Sequence, residues 1–366
     1  MTKDIVSEEI EPGLFGLKNT NRDLKDKNSW GKNQFNNAFP TALANYMFSK
    51  NLEPVYLKLG DDLKVNHTNI SVESLFGMNP ANVNTFFAFE STYTPYQRFA
   101  EGSVPRADLV TVSLGANPND DKIIKGLEIK LTALPDQTTF ELNEENYSCE
   151  IVIRPDTIVY LGYSMASIYH DKRKELFDIL DPVCNLITDW SNSEEILPHL
   201  ANIVLALDTI LLSNLDNQVP IVMQPIWKTI GKAPRLAENC LDLFVWSNFA
   251  FTRLFIDPTK KFKITSKITR QVRTSIWFCK MLYDYSKDGK INHMEIINDL
   301  TYNTKNDKAF SAPGTTTHQY LHCEELTKPR ITINEIQNII LGGGEKFLSP
   351  ERRFDAVIVS APGLFD

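Results

Sequence analysis

An acid and an amine lie two positions apart in the segment KGLEIKLTALPD, residues 125–136. Aliphatic and polar residues alternate there, the aliphatic set being Leu127, Ile129, Leu131 and Ala133 and the polar set Glu128, Lys130 and Thr132. A period of two is typical of a β-strand with one apolar face. The pattern predicts that Glu128 and Lys130 lie about 6 to 7 Å apart on the opposite face.

Asp108 supplies a second carboxylate, at the start of the strand-like segment ADLVTVSLG. A hairpin of residues 108–114 and 126–133 would bring Asp108 next to Glu128 and Lys130. Two neighbouring carboxylates repel each other unless a cation lies between them, and hard oxygen ligands suit Mg²⁺, which takes the rest of its shell from water and phosphate. A lysine beside such an ion can position or deprotonate an attacking water. This chemistry suits phosphodiester hydrolysis.

The acid-x-lysine triplet is not specific by itself. It also begins at Asp23, Asp62, Asp120 and Asp288, always in polar or turn-like surroundings. Only the triplet at Glu128 lies in a clear strand with an aspartate-opened strand upstream. The residues alone therefore leave two interpretations, a nuclease site or a solvated strand face with a Glu–Lys ion pair.

The order Asp108, then Glu128-x-Lys130 on an adjacent strand, resembles the PD-(D/E)xK nuclease core, although Ala107 stands where that core has proline and Pro105 is displaced by two. Three longer stretches are similar to the HindVP family of type II restriction endonucleases and together span both ends of the chain. They are GLFGLKNTNRDLKDKNSWGKNQFNNAFPTAL, FESTYTPYQRF with GSVPRADLV, and GGGEKFLSPERRFDAVIV.

The resemblance implies a Mg²⁺-dependent endonuclease that cuts both strands of a short palindromic DNA site, with six-base sites of the GRCGYC type associated with the family. It implies that Asp108 and Glu128 hold the metal and that Lys130 activates the water. It also suggests Glu90, in FAFES, as an additional acid. A capping or surface role for Glu90 stays open.

Basic residues form two islands in a chain whose formal net charge is −8. Charge distribution decides DNA binding more than the sum does. The first island is an N-terminal arm that can contact phosphates and base edges through Lys18, Asn19, Asn21, Arg22, Lys25, Lys27, Lys32, Asn33 and Gln34. The second consists of Lys260, Lys261, Lys263, Lys267, Arg270 and Arg273. A merely solubilising arm and a solvated amphipathic helix are the respective alternatives. A palindromic site predicts a homodimer, because the two share a two-fold axis.

One further motif matches a calcium site. The segment DYSKDGKINHME places Asp284, Ser286, Asp288 and Glu295 at ligand positions of an EF-hand loop between two predicted helices. The chain contains no second copy with which it could pair. The alternative is a helix–turn–helix corner with a capping aspartate.

The hydrophobic pattern predicts an α/β (α+β) fold, a mixed central sheet flanked by helices with a large helical C-terminal half. Strand signals dominate from Val55 to Ile153, helical periodicity follows from about His170, and RFDAVIVS near the end again indicates a strand. Among the predicted helices is APRLAENCLDLFVWSNFAFTRLF, residues 233–255. We expect residues 1–165 to form the arm and nuclease core, and residues 166–366 a mainly helical region packed on it.

Composition indicates a globular protein of the cytoplasm. The N-terminus lacks a signal-peptide pattern, and no run approaches about 18 uninterrupted apolar residues. The five cysteines show no zinc spacing, so we expect them to be reduced. The alternatives to a restriction enzyme are a non-catalytic DNA-binding or Ca²⁺-binding regulatory protein and a repair or recombination nuclease on the same core.

Overall fold

The computed structural model describes residues 39–135, 150–229, 236–263, 267–313, 319–332, 334–335 and 339. Its strands are β1 Val55–Leu59, β2 Val65–Asn69, β3 Thr85–Thr92, β4 Arg106–Ser113, β5 Lys122–Ile129, β6 Thr132–Pro135, β7 Glu150–Ile153, β8 Pro220–Thr229, β9 Leu236–Ser247, β10 Phe310–Pro313 and β11 Ile331–Thr332.

The helices are α1 over 39–49, and α2 Val72–Phe76, α3 Pro155–Ile168, α4 Arg173–Cys184, α5 Ser193–Ile196, α6 Leu200–Leu212, α7 Asn248–Lys260, α8 Arg270–Asp288, α9 His293–Asp299 and α10 Glu324–Thr327. The stretch Ser193–Leu212, formed by α5, a short 3₁₀ turn and α6, is long and apolar enough to cross a membrane by length and composition. Half of its most apolar window is buried inside the protein, and core helices of soluble proteins pass the same test.

One mixed sheet organises the described residues, and its strands run in the order β2-β1-β9-β8-β5-β4-β3. Strands β3, β4 and β5 are antiparallel neighbours, whereas β5 runs parallel to β8 and β1 parallel to β9. Strand β6 pairs with β8 and β11 with β9, while β7 and β10 form a separate two-stranded sheet. The predicted α/β class with a mixed sheet and flanking helices is confirmed.

Both faces of the central sheet are covered. Alternate residues of β9 enter different apolar clusters, since Phe244 and Trp246 pack with the large helical layer and Leu243 and Val245 with the smaller layer that contains α1 and α2. Leu127 and Ile129 of β5 face the smaller layer, as the alternation predicted. The polar side of β5 therefore faces the layer that contains α3.

The helix predicted over 233–255 is wrong for Leu236–Ser247, because these residues form strand β9. The helix starts only at Asn248, where the hydroxyl of Ser247 accepts a hydrogen bond from the backbone N–H of Ala250. A strand buried on both faces reads as a continuous apolar run, which periodicity cannot separate from a helix. The expected division of the chain after residue 165 stays a prediction. Strands β8 and β9, which follow this position, pair with β5, β6 and β1, which precede it, and residue 165 itself lies in α3. The strand predicted at RFDAVIVS lies outside the described residues.

Candidate active site

Asp108, Glu128 and Lys130 meet at the end of the β4–β5 hairpin. Leu109 pairs with Leu127, so the antiparallel register places Asp108 opposite Glu128. The Lys130 Nζ lies 3.1 Å from Glu128 Oε2 and 3.5 Å from Asp108 Oδ2. The backbone N–H of Ile129 also donates to Asp108 Oδ2, over 2.8 Å. The ammonium of Lys130 therefore bridges the two carboxylates.

The cluster lies mostly inside the protein. Glu128 is 4% exposed, and the side chains of Lys130 and Asp108 are 13% and 25% exposed. A solvated strand face is thus not what β5 presents at Glu128. Asp108 is the most accessible of the three, so the cluster opens to the surface on its side.

Burial sets the charge behaviour of the cluster. It raises the pKa of Glu128 to about 7, and the nearby Asp108 carboxylate acts in the same direction, against the opposing effects of Lys130 and Thr157. Burial would lower the pKa of Lys130, but the charges of Glu128 and Asp108 outweigh it and the pKa is raised. Without a metal, Lys130 is therefore a firmly protonated cation.

The donor set of the cluster fits a hard divalent cation. Among the described residues, no group of three or more His, Cys, Asp or Glu side chains could hold a metal, so an all-protein cage of the zinc type does not fit. Two carboxylates do suit Mg²⁺, which is commonly bound through one or two of them and completes its shell with water and phosphate. Asp108 and Glu128 are the residues here that could hold it.

Glu90 lies on β3 between the pairs Phe89–Leu109 and Ser91–Ala107, hence opposite Asp108. Its backbone φ is 49°, in the left-handed region that non-glycine residues rarely adopt within a strand. Such backbone strain is concentrated at functional sites. In the described part of the chain Glu90 does not join Asp108 and Glu128 in a three-acid group, and its role as an additional acid stays a prediction.

Helix α3 supplies a contact that the sequence analysis missed. The hydroxyl of Thr157 donates to Glu128 Oε2 over 2.8 Å, inside the protein. The signal was present, because Pro155 at the first helical position and Asp156 in the first turn are typical of a helix start. Because no helix was predicted there, a contact between Thr157 and β5 was not expected.

The predicted DNA contacts fall into three groups. Those of the arm, Lys18 to Gln34, lie outside the described residues. Lys260, Lys261, Lys263 and Lys267 are exposed, with Lys260 paired to Asp208 at 2.6 Å. Arg270 is partly exposed and pairs with Asp307 at 3.3 Å.

The prediction that Arg273 contacts DNA is wrong, because this residue is fully buried and not part of a DNA-facing surface. Its guanidinium donates to the backbone carbonyls of Thr304, Lys305, Lys308 and Ala309 and lies 4.3 Å over the ring of Trp277. These contacts tie α8 to the loop that follows α9. The residue is structural, because both terminal nitrogens of its buried guanidinium donate to backbone carbonyls.

The calcium loop is also a correction. Asp284 and Asp288 lie one turn apart on the same face of helix α8, whereas Ser286 is on another face and donates to the backbone carbonyl of Tyr283, so the three do not converge on an ion. Asp284 pairs with Lys280, while Glu295 exchanges hydrogen bonds with Asn292 at the start of α9. The segment is a helix–turn–helix corner, capped by Gly289 and Asn292 instead of an aspartate.

In this α/β fold, two adjoining strands of a mixed sheet bring an Asp, a Glu and a Lys together, with the Lys directly after its strand. This is the arrangement of a PD-(D/E)xK-type nuclease. The family model described as HindVP restriction endonuclease matches residues 30–365. The chain belongs to this family and is thus a type II restriction enzyme, which acts on double-stranded DNA and, as such enzymes generally do, with divalent metal ions.

Two relatives match almost end to end. The type II restriction enzyme HgiDI of Herpetosiphon aurantiacus is 48% identical over 356 residues, 97% of this chain and 98% of that protein. The probable type II restriction enzyme HindVP of Haemophilus influenzae is 42% identical over 357 residues, 97% and 96% of the two chains. No solved structure matches this chain.

Proposed function

We propose that this chain is a Mg²⁺-dependent homodimeric endonuclease that cleaves both strands of a palindromic site of the GRCGYC type. The observation that carries the proposal is that carboxylate oxygens of Asp108 and Glu128 both lie within 3.5 Å of the Lys130 ammonium nitrogen. The family assignment supports the reaction class, and the geometry of this cluster supports it as the site of the reaction.

In this proposal, Asp108 and Glu128 hold the ion through their carboxylate oxygens. When bound, Mg²⁺ neutralises charge on the scissile phosphate and promotes ionisation of water. The carboxylates are what keep the pKa of Lys130 high, so neutralising them makes its proton easier to move. Lys130 would then lose its own proton to solvent and, as the neutral amine, orient the attacking water and accept the proton that the water gives up.

Phosphate contacts supply affinity, and base-edge contacts supply specificity. We assign phosphate contacts to Lys263, Lys267 and Arg270, which lie at the surface, and base reading to the arm residues Asn19, Asn21, Arg22, Asn33 and Gln34. A two-fold dimer places one cluster on each strand of the palindrome. The Ca²⁺-binding alternative is not supported, because Asp284, Ser286 and Asp288 lie in helix α8 and do not form an ion-binding loop.

The test is incubation with phage λ DNA in Mg²⁺, in Ca²⁺ and in chelator. We expect discrete fragments with Mg²⁺ alone, and their loss by at least about 10³-fold in Asp108→Asn and Lys130→Ala while DNA binding persists. Fragment-end sequencing then gives the site and the stagger.

The chain contains a matched control. Asp62 and Lys64 have the same acid-x-lysine spacing and also form an ion pair, of 3.0 Å, but their side chains are 48% and 80% exposed. Asp62→Asn and Lys64→Ala are expected to cut normally. Random nicking by the wild type would indicate a repair-type nuclease, and unchanged cutting by Asp108→Asn would refute the assigned site.

A further inference from the structure

We propose that Thr157 is a positioning residue that fixes the Glu128 carboxylate for metal binding, an inference that rests on the proposed metal-holding role of Glu128. The Thr157 hydroxyl lies 2.8 Å from Glu128 Oε2. Lys130 Nζ approaches the same oxygen at 3.1 Å. Both bonds end on Oε2, so Oε1 is the oxygen that these two residues leave for a cation.

The hydroxyl has a defined direction. An ionised carboxylate only accepts hydrogen bonds, so Thr157 must be the donor. Helical threonines often bond instead to the carbonyl four residues earlier, here that of Ile153, but the Thr157 hydroxyl donates to Glu128 Oε2. Thr157 is only 1% exposed, and water does not compete for its proton. Its hydrogen bond is therefore directed at Glu128.

A glycine on β5 brings the helix close enough for this contact. A Cβ at Gly126 would lie 1.7 Å from the Tyr160 hydroxyl oxygen and 2.8 Å from the ring carbon that bears it, both impossibly short. Tyr160 lies three residues after Thr157 on α3, and Gly126 lies two residues before Glu128 on β5. The missing side chain thus leaves room for the tip of Tyr160 where α3 packs on β5, next to the Thr157–Glu128 contact.

The test compares Thr157→Val, which keeps the branched shape without the hydroxyl, with Thr157→Ser, which keeps the hydroxyl. The full-length protein is titrated with Mn²⁺ in a calorimeter, and the Mg²⁺ concentration for half-maximal λ DNA cleavage is measured in parallel. Loss of a residue that orients a metal ligand typically costs 10- to 100-fold. We expect both metal constants to weaken by about that factor in Thr157→Val and to recover within about threefold in Thr157→Ser.

Thr274→Val is the matched control. Thr274 is also fully buried on a helix, and its hydroxyl donates to carbonyl oxygens of Arg270 and Ala309, far in sequence from the cluster. It should leave metal binding unchanged. DNA affinity in chelator, measured by fluorescence anisotropy, should match the wild type in Thr157→Val. Should Thr157→Val not fold, Thr157→Ala against Thr157→Ser isolates the hydroxyl instead.

Glu128→Gln separates the positioning role of Thr157 from the metal role of Glu128. If it weakens Mn²⁺ binding and Thr157→Val does not, the positioning role is overturned while the metal role of Glu128 stands. If Glu128→Gln binds Mn²⁺ like the wild type, the proposed metal site falls and Thr157 with it. Weakening by both Glu128→Gln and Thr157→Val, with recovery in Thr157→Ser, supports the proposal.

Discussion

At the scale of the residue, the proposed metal role of Glu128 sets a proton and a metal ion in competition for its carboxylate. Burial, assisted by the Asp108 charge, raises the pKa of this carboxyl to about 7. A metal that binds the carboxylate must displace the proton wherever the pH is below that value. The charge state of one side chain therefore links pH to metal affinity.

We predict that Mn²⁺ affinity of the DNA-free protein rises by up to about tenfold per pH unit between pH 5 and 7 and levels off above. Calorimetry in two buffers of different ionisation enthalpy measures the protons released, which should fall towards zero above pH 7. Glu128→Gln should lack this dependence. An affinity that does not change between pH 5 and 7 would contradict a raised pKa at Glu128.

Two neighbouring arginines of α8 should respond in opposite ways to the same conservative change. Arg273 uses its planar fork on several buried carbonyls, which a lysine cannot match, whereas Arg270 makes one partly exposed ion pair. We predict that Arg273→Lys lowers the free energy of unfolding by about 2 to 4 kcal/mol. Arg270→Lys should change it by less than about 0.5 kcal/mol. Urea denaturation of both variants measures the difference, and equal effects would contradict the structural role.

At the scale of the element, the contact between α3 and β5 depends on Gly126. We predict that Gly126→Ala weakens Mn²⁺ binding by pushing Tyr160, and with it α3, away from Glu128. Adding Tyr160→Phe removes the closest atom in the clash and should restore part of the affinity. Tyr160→Phe alone should be nearly neutral for stability, because the Tyr160 hydroxyl is a buried group without a hydrogen-bond partner. Mn²⁺ calorimetry and thermal melts of the three variants test this, and a double variant no better than Gly126→Ala would contradict it.

How far the sequence predicts each element follows from its burial. β5 has one aliphatic side and one polar side, so its alternation revealed both the strand and the direction of Glu128 and Lys130. β9 is covered on both sides, and its apolar run was mistaken for a helix. Asp108 and Glu128 were paired correctly because a hairpin is local, whereas β8 inserts beside β5 from ninety-odd residues away, a pairing that no local pattern encodes.

The contact of Thr157 with Glu128 shows a second limit. A helix start was readable at Pro155 and Asp156, but the contact also depends on how closely α3 packs on β5. That distance is set by Gly126 and Tyr160, which approach each other only in the folded chain. Residues that touch substrate can be read from their chemistry, whereas residues that position them require the packing.

At the scale of the whole molecule, an acidic protein must bind a polyanion. The chain has 38 basic and 46 acidic residues, so the DNA contacts proposed above fall on a local basic patch, the exposed lysines before α8. Each phosphate contact releases counterions and makes affinity depend on salt. We predict that Lys263→Ala with Lys267→Ala weakens binding to duplex DNA and lowers the slope of log affinity against log salt by about one to two. Anisotropy titrations in Ca²⁺ measure the slope. An unchanged slope would place the DNA elsewhere.

The two-fold symmetry of a palindrome has a direct consequence for strand cleavage. If each subunit cuts one strand, a mixed dimer with one wild-type and one Lys130→Ala subunit has one working cluster. Such dimers, isolated through two different affinity tags, should convert a supercoiled single-site plasmid to the open circle and stop there. Wild-type dimers should continue to linear DNA under the same conditions, and Lys130→Ala dimers should do neither. Linear product from the mixed dimer would mean that one cluster serves both strands in turn, since the second subunit lacks the lysine that bridges Asp108 and Glu128.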